Sequence, residues 1–194
     1  MQNNQNMRTT EPSAPLKKRQ KQWLTVREMV IFAMLGALMF CSKLLLEWAP
    51  NIHLLALFII AFTRVYRLKA LVPLYVFVLI TGVYGGFNVW WVPYLYVWLP
   101  LVFITLLLPR RMPRPVAFVV FILLGACHGM AYGTLYAPAQ ALFFGLDFKT
   151  TVAWVLSGTP FDILHAVGNA AACTLALPLI RLLSHLEHKP KGSF

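Results

Sequence analysis

Three strongly polar side chains share one face of a predicted helix towards the C-terminal end of the chain. At about 100° per helical residue, Asp162, His165 and Asn169 fall within an arc of about 60°. A carboxylate accepts hydrogen bonds, whereas imidazole and amide groups both donate and accept. This face therefore suits either a ligand site or a hydrogen-bonded contact with a neighbouring helix. Thr159 and Pro160 predict the start of the helix, because threonine is a good N-cap and proline suits the first turn.

Two other segments supply further candidates for a binding site. His128, Tyr132 and Tyr136 repeat every four residues, and Asn88 and Trp91 stand in an uncharged aromatic loop at residues 82–96. With the polar face they predict a pocket, open to the outside, for a small and flat organic ligand. Two alternatives remain open: the loop is an interfacial aromatic belt, and the polar face is an interhelical hydrogen-bond cluster.

Motifs for catalysis are absent from the sequence. There is no P-loop, no Gly-x-Ser-x-Gly elbow and no acidic cluster for Mg²⁺, and Asp162-x-x-His165 lacks both a glutamate base and a third metal ligand. Cys41, Cys127 and Cys173 lie inside apolar segments and are interpreted as small packing residues. The sequence therefore predicts a protein that is not an enzyme, with no cofactor and no metal site.

Composition predicts an integral membrane protein. The 194 residues are 59% hydrophobic and 12% charged, with a mean hydropathy of +0.69, which is too apolar for a soluble domain. The net charge of +11 is concentrated in clusters that alternate with pairs of apolar segments. This spacing is typical of the positive-inside rule rather than of nucleic-acid binding. Beyond the first 27 positions the clusters are Arg64, Arg67, Lys69; Arg110, Arg111, Arg114; and Arg181, Lys189, Lys191.

The apolar segments predict an all-α membrane domain at residues 23–184 with six transmembrane helices. The helices cover roughly residues 24–46, 51–66, 70–83, 96–108, 116–136 and 159–183. An even number of crossings puts both termini and the basic clusters on the cytoplasmic side. A disordered basic tail is predicted at residues 1–22, a cytoplasmic tail at 185–194, and a lid or re-entrant piece at 140–157.

Local signals refine the first two helices. Thr25 and Glu28 have capping-box spacing, and Lys43 and Glu47 are spaced for a weak ion pair at the far end of the first helix. The second segment is short for a bilayer of about 30 Å, and His53 stands at its outer mouth. This histidine is interpreted as solvated, with a ligand role as the alternative.

Two stripes of small residues predict close contacts between helices. Ala33, Ala37 and Cys41, with Gly36 alongside, form the first stripe, whose partner is either another helix of the chain or another protein. The second stripe consists of Gly125, Gly129 and Gly133.

The sequence resembles the substrate-binding S components of energy-coupling factor (ECF) transporters. The resemblance covers the whole spanning region and depends on its size, its predicted topology, the Ala33–Ala37 motif and the Pro160-Phe161-Asp162 to Asn169 stretch. It implies a bacterial plasma-membrane protein that binds a vitamin-like micronutrient from outside. It also implies that Ala33, Gly36 and Ala37 contact a transmembrane T component driven by two ABC ATPases. The competing interpretation is a membrane scaffold or assembly factor without a ligand.

Overall fold

The computed structural model describes residues 23–49 and 51–188, and every regular element within them is a helix. The predicted all-α fold is therefore confirmed for this part of the chain. The elements in order are α1 (Val26–Leu45), α2 (Leu55–Tyr66), a 3-10 turn (Arg67–Ala70), α3 (Leu71–Gly85), a second 3-10 turn (Val92–Leu95), α4 (Leu99–Leu107), α5 (Arg114–Met130), α6 (Tyr132–Phe144), α7 (Phe148–Cys173) and α8 (Ala176–His188).

Several of these helices are long and apolar enough to cross a membrane, as in a multi-pass membrane protein. Three stretches qualify within the described residues, namely Val26–Leu45, Leu55–Gly85 and Arg114–Phe144. A fourth qualifies if α7 and α8, which meet at a bend of 50°, form one span.

α1 begins as the sequence predicts and ends without its predicted ion pair. The Thr25 hydroxyl accepts from the Glu28 amide at 3.2 Å and the Glu28 carboxylate accepts from the Thr25 amide at 2.9 Å, which is the capping box. Glu47 lies beyond the last helical residue, so the helical spacing that would bring it to Lys43 is lost. The predicted Lys43–Glu47 pair is wrong, and Glu28 instead pairs with Lys69, which ties the start of α1 to the turn before α3.

α2 is the central helix of the bundle. Nine successive residues from Leu55 to Thr63 are buried, and the helix packs against α4, α7 and α8. A helix that is apolar all round belongs inside a protein. Its 12 residues extend only about 18 Å, so the prediction of a short second helix is confirmed.

The chain reverses direction between α2 and α3. Arg67 in the connecting turn has a φ of 58° and a ψ of −133°. The rings of His53 and Phe77 both contact the Trp98 ring, at centroid distances of 5.9 and 6.4 Å. The two rings are therefore within about 12 Å of each other, whereas a straight helix would separate their α-carbons by about 36 Å. The apolar stretch Leu55–Gly85 is therefore two helices separated by a reversal of the chain and not one straight helix.

Two arginines at the end of α2 donate hydrogen bonds to the backbone carbonyls at the end of α4. Arg64 donates to the three carbonyls of residues 108–110 at 3.2, 2.9 and 2.9 Å, and Arg67 donates to the Leu106 carbonyl at 2.9 Å. The last carbonyls of a helix have no partner within it and carry a partial negative charge. Two of the predicted basic clusters therefore meet here. We call this region, from the start of α1 through the 67–70 turn to residues 106–114, the cationic end.

The predicted start of the last helix at Thr159–Pro160 is wrong. α7 begins eleven residues earlier, where the Asp147 carboxylate accepts from the Thr150 amide at 2.8 Å and caps the helix. This hydrogen bonding also lowers the pKa of Asp147. The Thr159 hydroxyl bonds back to the Val155 carbonyl, and Pro160 lies inside the helix on an exposed face. The cost of an interior proline, about 3 kcal/mol, is offset by the packing of α7 on α5 and α6.

The segment 140–157, expected to be a lid or re-entrant piece, supplies the ends of two helices. α6 continues through Pro138 to Phe144, and Gly145 ends it with a left-handed φ of 62°. The predicted fifth span is divided at Ala131 into α5 and α6. At the C-terminus α8 continues to His188, into the predicted tail. The tail predicted at 1–22, together with Lys189 and Lys191, lies outside the described residues.

Candidate functional site

The glycine stripe of α5 and α6 packs against the polar face of α7. A β-carbon at Gly129 would lie 2.6 Å from the Ala166 amide nitrogen and 2.7 Å from the His165 carbonyl. Gly125 meets Cys173 and Asn169 in the same way. The predicted close contact of this stripe with another helix is confirmed, and it brings the α7 polar face up to the α5 backbone.

Asp162 and Asn169 are both used in this contact. The break at Ala131 leaves the first amides of α6 without intrahelical partners, and the buried Asp162 carboxylate accepts from the Gly133 amide at 2.9 Å. The Asn169 amide nitrogen donates to the Gly125 carbonyl at 3.3 Å. These two side chains therefore hold α7 against α5 and α6, whatever else they do.

His165 belongs to a group of aromatic rings drawn from four parts of the chain. It stacks on Tyr132 at a centroid distance of 4.6 Å and lies 5.0 Å from His53. Trp98 closes the group, at 5.9 Å from His53 and 5.7 Å from Tyr132, and His128 stacks on Trp98 at 5.6 Å. We call these five residues the histidine cluster.

Several polar atoms of the histidine cluster are buried without a partner among the described residues. They are Nδ1 of His53, Nδ1 of His128, Nδ1 of His165 and Nε1 of Trp98. His128 Nε2 must donate to the Val97 carbonyl, 3.0 Å away, so a neutral His128 presents Nδ1 as a free acceptor. An unsatisfied buried polar group costs about 1–3 kcal/mol. Water or a bound molecule supplies the missing hydrogen bond to such a group.

His53 enters the cluster from the connection between α1 and α2, and it is neutral. Burial lowers the pKa of His53 to about 3, with further contributions from the neighbouring His165 and His128. The His53 imidazole therefore offers one donor and one acceptor rather than a positive charge.

A cavity of about 220 Å³ lies against the cluster. Its wall includes Tyr132, Tyr136, Asp162 and His165, four of the residues predicted to bind a ligand, together with Trp154 of α7. These four side chains therefore line one cavity.

The other predicted ligand residues lie elsewhere. Asn88 lines a second cavity of about 380 Å³, which shares Tyr136 with the first. Trp91 donates through Nε1 to the Val78 carbonyl at 2.8 Å, which fixes the aromatic loop to α3. His128 and Asn169 line neither cavity: His128 stacks on Trp98, and Asn169 bonds to α5.

His53 and Trp98 are central to the cluster, but the sequence did not place them there. The sequence predicts a solvated His53, since a lone histidine at the membrane interface is usually solvated, and this prediction is wrong because the ring packs against Trp98 and His165 and its Nδ1 is buried. Trp98 was treated only as part of the fourth helix, although it follows Tyr94 by four residues and their rings lie 5.8 Å apart. That spacing of aromatic residues is the signal that pointed to it.

The small residues predicted to contact a partner differ in their exposure. Ala33 is exposed and Ala37 half-buried, beside the exposed side chains of Val30 and Met34. Gly36 is buried against α3, where a β-carbon would lie 2.8 Å from the Pro73 carbonyl. Only part of the stripe therefore faces outward.

Metal binding finds no support in residues 23–49 and 51–188, where no group of three or more His, Cys, Asp or Glu side chains is placed to hold an ion. The cysteines are unpaired, and Cys173 is a buried packing residue as predicted, whereas the same prediction is wrong for Cys41 and Cys127, which are exposed. No family model, curated protein or solved structure matches the chain.

Proposed function

We propose that this protein is the substrate-capture subunit of an ECF-type transporter in a bacterial plasma membrane. It binds a vitamin-like micronutrient from outside and delivers it inward with a transmembrane T component and two ABC ATPases. In this proposal the protein binds a ligand without catalysing a reaction. It lies in the lipid bilayer and does not bind nucleic acid.

The observation that carries this proposal is the set of unpartnered polar atoms in the histidine cluster beside a cavity of about 220 Å³. A purely structural cluster would be expected to satisfy its own hydrogen bonds, because each orphan atom costs stability. A small aromatic molecule in this cavity would stack on Tyr132 and hydrogen-bond to His165, the two members of the histidine cluster that line it.

The proposed topology has six crossings, with both termini in the cytoplasm. Helix ends support it: α1 and α3 both begin at the cationic end, where Glu28 pairs with Lys69, and both run to the same far end, where Phe40 contacts Tyr84 at 5.3 Å. α2 and α4 end at the cationic end, since Arg64 of α2 bonds to the residues that follow α4. α5 with α6 and α7 with α8 supply the remaining two crossings. The positive-inside rule makes the cationic end cytoplasmic.

The histidine cluster then lies towards the outside. Tyr136 of α6 donates to the Trp90 carbonyl in the aromatic loop, and Trp154 of α7 stacks on Tyr136. These contacts lie at the opposite end from the cationic clusters, which is where a subunit that captures its ligand from outside needs its cavity.

Ala33 and Ala37 are the residues proposed to contact the T component. They lie on an outward, apolar face of α1, and a small side chain there lets another helix approach closely. Gly36 is proposed only to bring α3 close, because it is buried within this chain.

Purification of the tagged protein from its native membrane in mild detergent tests the proposal, with mass spectrometry of the proteins and small molecules that copurify. We expect a T-type subunit, two ATPases and a bound micronutrient. Ala33→Trp should abolish recovery of the T component and ATPases while the small molecule is still recovered. Leu38→Trp, at an exposed position about 140° around α1 from Ala33, is the control for a bulky side chain on another face of the helix. Unchanged recovery of the partners with Ala33→Trp would remove Ala33 from the interface.

A membrane scaffold without a ligand is the competing function. It is favoured by Asp162 and Asn169, whose hydrogen bonds to α6 and α5 already explain their burial. Isolation of the protein with neither a small molecule nor transport subunits, under conditions that preserve known complexes, would favour the scaffold.

A further inference from the structure

Two surface cavities adjoin at the cationic end, far from the histidine cluster. The larger measures about 470 Å³ and the smaller about 260 Å³, and both include Arg67 and Arg110. The larger is completed by Tyr66, Leu68, Lys69 and Leu106. Arg64 and Val65 complete the smaller.

Neither cavity wall contains an acidic residue to balance these cations. Glu28, the acidic residue that bonds to this region in the described chain, is already paired with Lys69. The two cavities thus form a site of net positive charge to which an anion is attracted.

Arg67 and Arg110 also have guanidinium N–H donors that are not used in hydrogen bonds within the described structure. Nη2 of Arg67 donates to the Leu106 carbonyl at 2.9 Å, but Nη1 of the same guanidinium is buried without a partner in the described structure. The side chain of Arg110 makes no hydrogen bond or ion pair within residues 23–49 and 51–188, although its backbone carbonyl accepts from Arg64. A guanidinium fork matches the oxygens of a phosphate group with two parallel hydrogen bonds.

We propose that Arg67 and Arg110 bind the phosphate group of an anionic phospholipid. The site lies where helices end and begin, which for membrane-crossing helices is the level of the lipid headgroups. Leu68, which is 53% exposed, and Leu106 line the same cavity and provide apolar surface for the lipid beneath its phosphate. A soluble phosphate compound carries the same charged group but has no acyl chains to contact this apolar wall.

The test is a titration of the full-length protein in uncharged detergent micelles with phosphatidylglycerol, with native mass spectrometry counting the bound lipid. Glycerol phosphate replaces the lipid in a second arm. Arg110→Gln is the test variant, and Arg111→Gln is its matched control, because Arg111 is the neighbouring exposed arginine and lines neither cavity. Thermal unfolding of both variants establishes that they fold.

We expect one phosphatidylglycerol molecule to bind the wild-type protein saturably. Arg110→Gln should weaken this binding about tenfold, because it removes charge-assisted hydrogen bonds to phosphate, whereas Arg111→Gln should weaken it about twofold or less. Equal losses in the two variants would mean diffuse attraction of a cationic surface and would overturn the site. Binding of glycerol phosphate as tight as that of the lipid would overturn the lipid as its ligand. This inference does not depend on the transport function proposed above.

Discussion

The histidine cluster and the hydrogen bonds of Arg64 at the end of α4 show opposite uses of polar side chains. At the cationic end, Arg64 uses its guanidinium to bond three carbonyls beyond α4, so its charge closes a helix end. In the histidine cluster, three imidazoles and an indole are brought together while four of their nitrogen atoms remain unpartnered in the described structure. Polar groups whose hydrogen bonds are made within the chain stabilise the fold, whereas an unpartnered group at a cavity wall, such as His165, indicates a site.

The same contrast appears along a single helix face. Asp162 of α7 bonds to α6 and also lines the cavity, and Asn169 donates to α5 although its Oδ1 is unpartnered. His165 lies between them, faces the cavity and makes no hydrogen bond to another helix of the described structure. Side chains that the sequence groups as one face therefore divide into structural residues and a candidate ligand residue.

Replacement of Arg64 should lower stability far more than replacement of an exposed arginine at the same end. Arg64→Met leaves the carbonyls of residues 108–110 without their donor, so we expect the free energy of unfolding to fall by about 2 kcal/mol. Arg111→Met removes the same charge from an exposed side chain at this end and should change stability by less than about 0.5 kcal/mol. Thermal unfolding in detergent measures both. If the two variants unfold at the same temperature, Arg64 stabilises the protein only through its charge and not through its hydrogen bonds.

Acid should destabilise the protein through His53. Its pKa is about 3 in the folded protein and about 6.5 when unfolded, so the stability it contributes is fully present above about pH 6.5 and is lost as the pH falls towards 3. We expect a loss of about 2 kcal/mol between pH 7.5 and pH 5, because the unfolded chain binds the proton first.

His53→Gln supplies the control for acid sensitivity, since glutamine does not titrate. The variant should show a smaller fall in unfolding temperature between pH 7.5 and pH 5 than the wild-type protein. An equal fall in both would assign the acid sensitivity to other groups, of which His165 and His128 are the neighbours within the cluster.

Replacement of His165 should have the smallest effect on stability and the clearest effect on binding. His165→Phe keeps a ring to stack on Tyr132 and removes an unpartnered polar atom, so stability should stay within about 1 kcal/mol of wild type. The amount of small molecule that copurifies, measured by mass spectrometry, should fall at least tenfold.

Asp162→Ala is the structural counterpart of that variant. It leaves the Gly133 amide without its acceptor, and the free energy of unfolding should fall by about 2 kcal/mol. If His165→Phe loses as much stability as Asp162→Ala, all three polar residues of this face serve the fold rather than ligand binding.

Much of the helical framework could be predicted from sequence because its signals are local. The capping box at Thr25, the short apolar α2 and the glycine stripe of α5 and α6 were each found from residue types and their spacing. The helix starting at Phe148 was missed because Pro160 resembles a first-turn proline, and only the packing of α7 justifies an interior one.

The sequence by itself determined an apolar helical protein with clustered cations and a polar face on its last long helix. Hydropathy, charge spacing and helical periodicity are properties of neighbouring residues, so they can be read along the chain. Only the tertiary structure decided that His53, Trp98, His128 and His165 share one cluster, and that Arg64 closes α4. Those contacts join residues tens of positions apart, and they depend on the reversal of the chain between α2 and α3 and on which helix packs against the glycine stripe of α5, and no local pattern specifies either.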